Sequence, residues 1–361
     1  MKRVILLGAG FAAATGAPSS EKITQSVCSL GWTKYLLRSL DASNEYTKPN
    51  FEDVLGALEM ELSYYQNRFN PFVKTPISSL FTHKKKMSLH SIRRSYKSSL
   101  DIICRAIINY IAGREKSLDD NLYQYFSAVH GQTKVYSLNY DREPSFLMKK
   151  KGIDVYEGVN SAGKFEYDIE KFINSTYSFF NLHGSVYLDT RILSLGKIYL
   201  NDEPRKILGI SPFEDDTNYF TPIITGRNKS RQYLSEPFLF GHSVFSHDMA
   251  NADVLDIIGY SGGDQHINAA IRYFGRDSLK INIVDYCTNP DEYDSIKGTT
   301  RLDDYGEMIS SLRRQKEQMN FKKNLKNNGL YFDKGYHAHL YTNGLGDFLN
   351  NKIYEDLYEN L

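Results

Sequence analysis

Apolar residues gather along this chain in two kinds of run. Short runs rich in β-branched side chains occur at Arg3–Leu7, Thr133–Leu138, Tyr177–Leu182, Val254–Ile258 and Lys280–Val284. Each stops at glycine or small polar residues: Gly8-Ala9-Gly10, Asn139-Tyr140-Asp141, His183-Gly184-Ser185, Gly259-Tyr260-Ser261 and Asp285. Short runs of this kind, ended by turn residues, predict strands. From about Phe51 to Val129, apolar residues recur instead at helical spacing, as at Ile102, Ile103, Ala106, Ile107 and Tyr110. That stretch is too long for a single crossover. It predicts a mainly helical lobe at 45–128, inserted into a domain spanning 1–300. After Asp285 the chain turns charged, with Arg and Lys across Met308–Leu325 and a last segment at Asp347–Leu361. Residues 301–361 therefore read as a helical C-terminal extension, and the fold class as α/β, a parallel sheet flanked by helices.

In an open parallel sheet, ligands bind beyond the carboxyl ends of the strands. Polar residues at five strand ends thus describe one crevice. Gly8-Ala9-Gly10 allows a tight turn into a helix whose first amides face an anion, and a phosphate explains the bend. The later glycine of G-x-G-x-x-G is replaced by Ala13, so a dehydrogenase fingerprint fits poorly, and a turn without ligand is the alternative. Asn139-Tyr140-Asp141 reads either as a polar turn or as part of a site. Of two His-Gly pairs, His130-Gly131 follows a helical segment, Leu122–Val129, where a cap is expected. His183-Gly184 follows a strand, which makes His183 the candidate base.

Charge and composition narrow the classes. Lys+Arg 44 against Asp+Glu 43 gives no global field for nucleic acid or an anionic membrane, so no direct nucleic-acid binding is expected. The basic stretch Lys84-Lys85-Lys86, Arg93-Arg94 and Lys97 reads as a solvated face. Cys28, Cys104 and Cys287 form no C-x-x-C pair, which argues against structural zinc and disulfides and fits a reducing cytoplasm. No signal peptide or membrane-length run is read, so a cytoplasmic location is expected. The 27 Tyr and 20 Phe beside one Trp suit aromatic cores and subunit contacts.

The ordered motifs G-A-G-F…T-G-A-P, S-L-N-Y-D, L-H-G-S and G-Y-S-x-x-D resemble the sirtuin family, in particular the sirtuin-like domains of bacterial anti-phage defence. Gly8, Ala9, Gly10, Gly16 and Pro18 match the sirtuin opening, and Thr15 replaces a serine conservatively. Ala12 replaces the other serine, Ser19-Ser20-Glu21 stands in place of Asp-Phe-Arg, and Leu138 replaces the glutamine of deacylases. The resemblance implies a Rossmann-like, sirtuin-like fold with NAD as substrate and no metal. Asn139 would hold the catalytic water and the nicotinamide ribose, and His183 would act as base. Contacts to NAD would come from Gly8, Ala9, Gly10, Phe11, Thr15, Asp141, Gly259, Ser261 and Asp285. Ser261 would lie near a phosphate, and Asp264 would cap a helix starting about His266. Asp141 would brace its loop or touch ribose. Asp285 reads equally as a ribose acceptor or a turn aspartate.

The implied activity is an NAD glycohydrolase that depletes NAD in anti-phage defence. An NAD or ADP-ribose sensor without turnover is the alternative, and an NAD-dependent deacylase a further one. Leu138 and the scattered cysteines weigh against the deacylase. The resemblance also implies a homo-oligomer and a HerA-type ring ATPase partner.

Overall fold

The computed structural model describes the chain except residues 30, 32, 35, 39–48, 67–88, 129–130, 190–197, 205–222, 226–232, 295–298, 313–320, 324–328, 334, 336 and 359–361. The Lys84–Lys86 run and His130 lie outside the described residues. The strands, in chain order, begin with β1 (Lys2–Leu7), β2 (Gln132–Ser137), β3 (Val155–Tyr156) and β4 (Tyr177–Asn181). They continue with β5 (Leu188–Asp189), β6 (Tyr199–Leu200), β7 (Val254–Ile258) and β8 (Lys280–Val284). The last are β9 (Tyr293–Asp294), β10 (Thr299–Thr300), β11 (Lys322–Lys323), β12 (Leu330–Asp333) and β13 (Ala338–Tyr341). Nine of them form one sheet in the order β11-β12-β13-β8-β7-β1-β2-β4-β3. All neighbours from β13 to β3 are parallel, and β12 and β11 add antiparallel at one edge. The protein is thus α/β with a mostly parallel sheet, and the five expected central strands are present within a residue or so of the expected ends.

Alternate residues of each strand point to opposite faces, and both faces are covered. Val4, Leu6, Leu255, Ile257, Ile281 and Ile283 pack against the helices Phe238–Asn251, Gln265–Phe274 and Arg301–Leu312. Ile5, Leu7, Val135, Ile258 and Val284 pack on the other side against Asp119–Ser127, Glu143–Lys150, Gly344–Asn350 and Ile353–Tyr358. A third core belongs to the insertion. Helices Phe51–Gln66 and Leu89–Gly113 bury Val54, Leu55, Leu100, Ile103 and Cys104 together with Tyr140, Val186, Tyr187 and Ile223. The lobe therefore sits on the loops that follow β2 and β4.

Residues 301–361 depart from the expected helical extension. Helices are present at Arg301–Leu312, Gly344–Asn350 and Ile353–Tyr358, but β12 and β13 between them extend the main sheet, β13 pairing with β8. The sequences LYFD and AHLY bury Leu330, Tyr331, Ala338, Leu340 and Tyr341, which needs the sheet edge beside β8 as partner.

The C-terminal end is also tied to a buried ion pair. Arg3, fully buried, donates from Nε to Asp256 Oδ2 at 2.8 Å and from a terminal nitrogen to the Tyr125 carbonyl at 2.8 Å. Tyr125 and Tyr358 donate their hydroxyls to the same Asp256 oxygen, and Asn282 Nδ2 reaches the other at 2.7 Å. The guanidinium carbon lies 4.2 Å from the ring centre of Tyr125 and 4.9 Å from that of Tyr358. Removing one partner of such a pair leaves a bare buried charge. Asp256→Ala is accordingly expected to cost about 3–5 kcal/mol, read as a lower urea midpoint; a midpoint within error of wild type would contradict the role assigned to this pair.

Candidate functional site at the carboxyl edge of the sheet

Register aligns the strand ends. Leu7, Ser137, Asn181, Ile258 and Val284 form one row across β1, β2, β4, β7 and β8. The ladder runs one residue further, with Gly8 N to Ile258 O at 2.9 Å, Leu138 N to Leu7 O at 2.8 Å and Leu182 N to Ser137 O at 2.8 Å. Gly259 N likewise reaches Val284 O at 2.9 Å. The glycine loop, Asn139, His183, Gly259-Tyr260-Ser261 and Asp285 therefore emerge along the same edge. Strand order reverses at β1, with β2 and β4 on one side and β7 and β8 on the other, which is the switch point where open sheets form a crevice.

Glycine is required here by the protein's own backbone. A Cβ on Gly8 would lie 2.4 Å from the Gly259 oxygen, and one on Gly10 2.7 Å from the Gly259 Cα. One on Gly259, itself at φ +61°, would lie 2.3 Å from the Phe11 nitrogen. Gly10 N donates to Gly259 O at 2.8 Å. The glycines expected to make room for a phosphate make room first for the neighbouring loop. Ala9 opens the short Ala9–Ala14 helix, and the Phe11 ring is buried in the core under the sheet. Thr15 is buried too. Its hydroxyl donates to Ala12 O at 3.0 Å and lies 2.6 Å from the hydroxyl of Tyr110, from the lobe's Leu89–Gly113 helix. Burial, and after it the charge of Asp141, pushes the Tyr110 phenol up to about 12.

Asn139 is partly exposed and donates from Nδ2 to the Gly8 carbonyl at 3.0 Å. A carbonyl only accepts, so the amide is oriented and its Oδ1 is left as an acceptor. Asp141 is buried, and burial raises its pKa; Oδ1 accepts from Glu143 N at 3.1 Å, bracing the start of the next helix. Asn181 spends its Nδ2 on the carbonyls of Asn139, at 2.8 Å, and Asp141, at 2.7 Å. Tyr140 O accepts from Val186 N at 3.0 Å and Ser185 Oγ at 2.9 Å, while Ile224 N donates to His183 O at 2.7 Å. The loops after β2 and β4 are thereby one hydrogen-bonded body.

His183 is 5% exposed. Its Nε2 lies 2.9 Å from the Tyr233 hydroxyl and 3.1 Å from Asp264 Oδ2, and Tyr233 in turn reaches Asp264 Oδ2 at 3.1 Å. Asp264 caps the Gln265–Phe274 helix with its other oxygen, accepting from His266 N at 3.0 Å and Ile267 N at 3.4 Å. The Tyr233 ring meets His242 edge-on at 4.1 Å between ring centres. Burial, and then the neighbouring His183, pushes the His242 imidazole down to about 3. At the far end, Asp285 accepts from Tyr305 OH at 2.6 Å, and Ser261 is exposed beside the Gly259 turn.

The structure thus brings Gly8, Ala9, Gly10, Asn139, His183, Gly259 and Ser261 to one edge. Phe11, Thr15 and Asp141 stand behind it, and their side chains, like that of His183, are buried. Tyr233, Asn181 and Tyr110 were not singled out from sequence as site residues. Tyr233 lies in a pattern-free stretch, Asn181 reads as part of a strand, and Tyr110 reads as a helix core position. Asp264 was legible as a cap alone.

No protein-family profile and no curated protein matches the sequence. Among solved structures, a Sir2 homologue in complex with NAD is similar at 14% identity, covering 86% of this chain and 88% of that one with a TM-score of 0.40. A triply substituted Sir2 homologue bound to 2′-O-acetyl ADP-ribose is similar at 12% identity, covering 86% and 90%, again with a TM-score of 0.40.

Two outcomes follow from the geometry. Gly8→Ala forces a Cβ against backbone that cannot swing away, so a loss of about 1–3 kcal/mol is expected; unchanged urea unfolding would refute the loop contact. The unfolded imidazole of His242 titrates near 6.5 and the folded one near 3. Between those values only the unfolded chain gains the proton, so stability falls as pH drops through that window. In His242→Phe the urea midpoint should fall less over the same window, and an equal fall in both proteins would contradict the buried neutral ring.

Proposed function

We propose that the protein is an NAD glycohydrolase, cleaving NAD with water to nicotinamide and ADP-ribose. The observation that carries this reading is the link from Asn139 to the carbonyl of Gly8, which joins the asparagine of the second motif to the glycine loop of the first. Asn181 and Tyr140 then tether the His183 loop to the same asparagine. The order of motifs that resembles sirtuins is thus also an arrangement in space.

The chemistry asked of these groups is modest. Nicotinamide leaves as a neutral base from a cationic nitrogen, taking the electron pair of the glycosidic bond, and an oxocarbenium-like ribose results. Positioning and electrostatics supply most of the acceleration in such a reaction. Asn139 Oδ1 accepts a hydrogen bond from the attacking water and orients it. As the water oxygen bonds the ribose carbon, His183 takes one of its protons and later releases it to solvent. No role falls to Cys28 or Cys104: burial raises the first to about 11 and the second to about 12, so neither is a ready thiolate. The wider setting belongs to the same proposal. It comprises NAD depletion in anti-phage defence, a homo-oligomer, a HerA-type ATPase partner and a cytoplasmic location. Among the described residues no helix is long and apolar enough to cross a membrane.

The test is incubation with NAD, following nicotinamide and ADP-ribose by chromatography. Equimolar release by wild type, reduced on the order of 10²-fold or more in Asn139→Ala and His183→Ala, is the expected result. NAD that stays intact yet binds wild type and His183→Ala alike would mean a binding module. Cleavage that appears only with an acylated peptide would mean a deacylase.

A further inference from the structure

Asp285 follows β8, two strands across from the glycine loop, and its backbone is fixed on both sides. Its N–H donates to the Tyr341 carbonyl at 2.9 Å, and its own carbonyl accepts from Gly344 N at 3.0 Å. The carboxylate is tethered as well: Oδ1 accepts from Tyr286 N at 2.8 Å and Oδ2 from Tyr305 OH at 2.6 Å. A carboxylate has about four lone-pair sites. Two are used and the residue is half-buried, so a ligand at this edge meets an acceptor with capacity to spare. Tyr305 belongs to the Arg301–Leu312 helix of the C-terminal extension. One turn on, Met308 packs against the backbone of Gly262, where a Cβ would lie 2.9 Å from the Met308 sulfur. Asn268 Nδ2 holds the same loop by donating to Gly262 O at 2.6 Å. A single helix thus backs both the Ser261 turn and the Asp285 carboxylate. Its first turn carries Asp303 and Asp304 together with Arg301, whose guanidinium lies 3.3 Å from Asp304.

We propose that Asp285 makes the site specific for NAD over NADP, accepting from the hydroxyls of the adenosine ribose and repelling a 2′-phosphate. This rests on the reading that NAD lies along this edge with its nicotinamide toward Asn139. Asn139 follows β2, on one side of β1, and Asp285 follows β8, on the other. Neighbouring strands lie about 4.8 Å apart, which puts Asp285 roughly 10 Å from the end of β1. The adenosine half of the dinucleotide falls there. Its vicinal 2′- and 3′-hydroxyls offer two donors to a carboxylate that can accept both. A 2′-phosphate offers acceptor oxygens and negative charge to the same group, beside two further carboxylates on the adjoining helix. Such a like-charge contact is how a site rejects the wrong partner. Tyr305 is then a positioning residue, and the C-terminal extension serves to hold the specificity-determining carboxylate in place.

ADP-ribose and its 2′-phosphate test this without turnover, since neither carries nicotinamide. In calorimetric titrations of the full-length protein, ADP-ribose should bind on the order of 10²-fold more tightly than the 2′-phosphate. NAD should be cleaved in preference to NADP by a similar factor in kcat/KM. In Asp285→Asn the ratio should fall to about tenfold or less, because the amide keeps an acceptor and loses the charge. Tyr305→Phe loosens the carboxylate and keeps its charge. It should weaken ADP-ribose binding by less than about tenfold, with the preference retained. Equal binding of both compounds by wild type overturns the inference, as does an Asp285→Asn protein with the wild-type ratio. So does a Tyr305→Phe protein that has lost the preference, since charge would then not be its source. A wild type that prefers ADP-ribose yet leaves NAD intact supports the inference and refutes the glycohydrolase reading. Cleavage of NAD and NADP at equal rates does the reverse. Binding of neither compound, with both dinucleotides left intact, overturns the two together.

Discussion

The contact between the backbone at Gly8–Phe11 and that at Gly259 leaves no room for a Cβ on Gly8, Gly10 or Gly259. It falls where strand order reverses, so it closes the base of the crevice between β1 and β7. With that base fixed, the Gly8 carbonyl has one place to point. It receives the Asn139 amide, and every later part of the site is referred to it. Close packing of this sort is unforgiving of added volume. That is why three small residues, two from one loop and one from a loop far along the chain, set the geometry of polar groups that lie elsewhere.

The helical lobe has a mechanical part in this arrangement. Its core includes Tyr140, Val186 and Tyr187, which come from the two loops bearing Asn139 and His183. Tyr110 adds a direct hydrogen bond to Thr15 at the end of the glycine loop. The lobe is therefore a clamp over the carboxyl edge rather than an appendage. The face of the sheet beneath helices Asp119–Ser127 and Ile353–Tyr358 is held by the Arg3–Asp256 pair with Tyr125 and Tyr358, again buried polar groups whose partners are distant in sequence.

The central strands were readable because each is a short, largely apolar run that ends in glycine or polar residues where the chain leaves the sheet. Asn139 and His183 were readable for the same reason, as polar residues at strand ends. The edge strands were not. LYFD and AHLY are short and mix aromatic with polar residues, and their strand character comes from pairing beside β8. Asn181 was hidden because its task, bridging two carbonyls of another loop, depends on the register of β4 against β2. Asp264 showed half of its role: local sequence reveals the oxygen that caps a helix, while the oxygen facing His183 is placed by the tertiary fold. Tyr233 had no local signal at all.

The most direct measurement is a crystal structure of the His183→Ala protein soaked with NAD. The expected result is the nicotinamide ribose within hydrogen-bond reach of Asn139, with the diphosphate over the loop from Gly8 to Thr15. Nucleotide density anywhere other than this edge of the sheet, in a protein that binds NAD in solution, would contradict the site proposed for this chain.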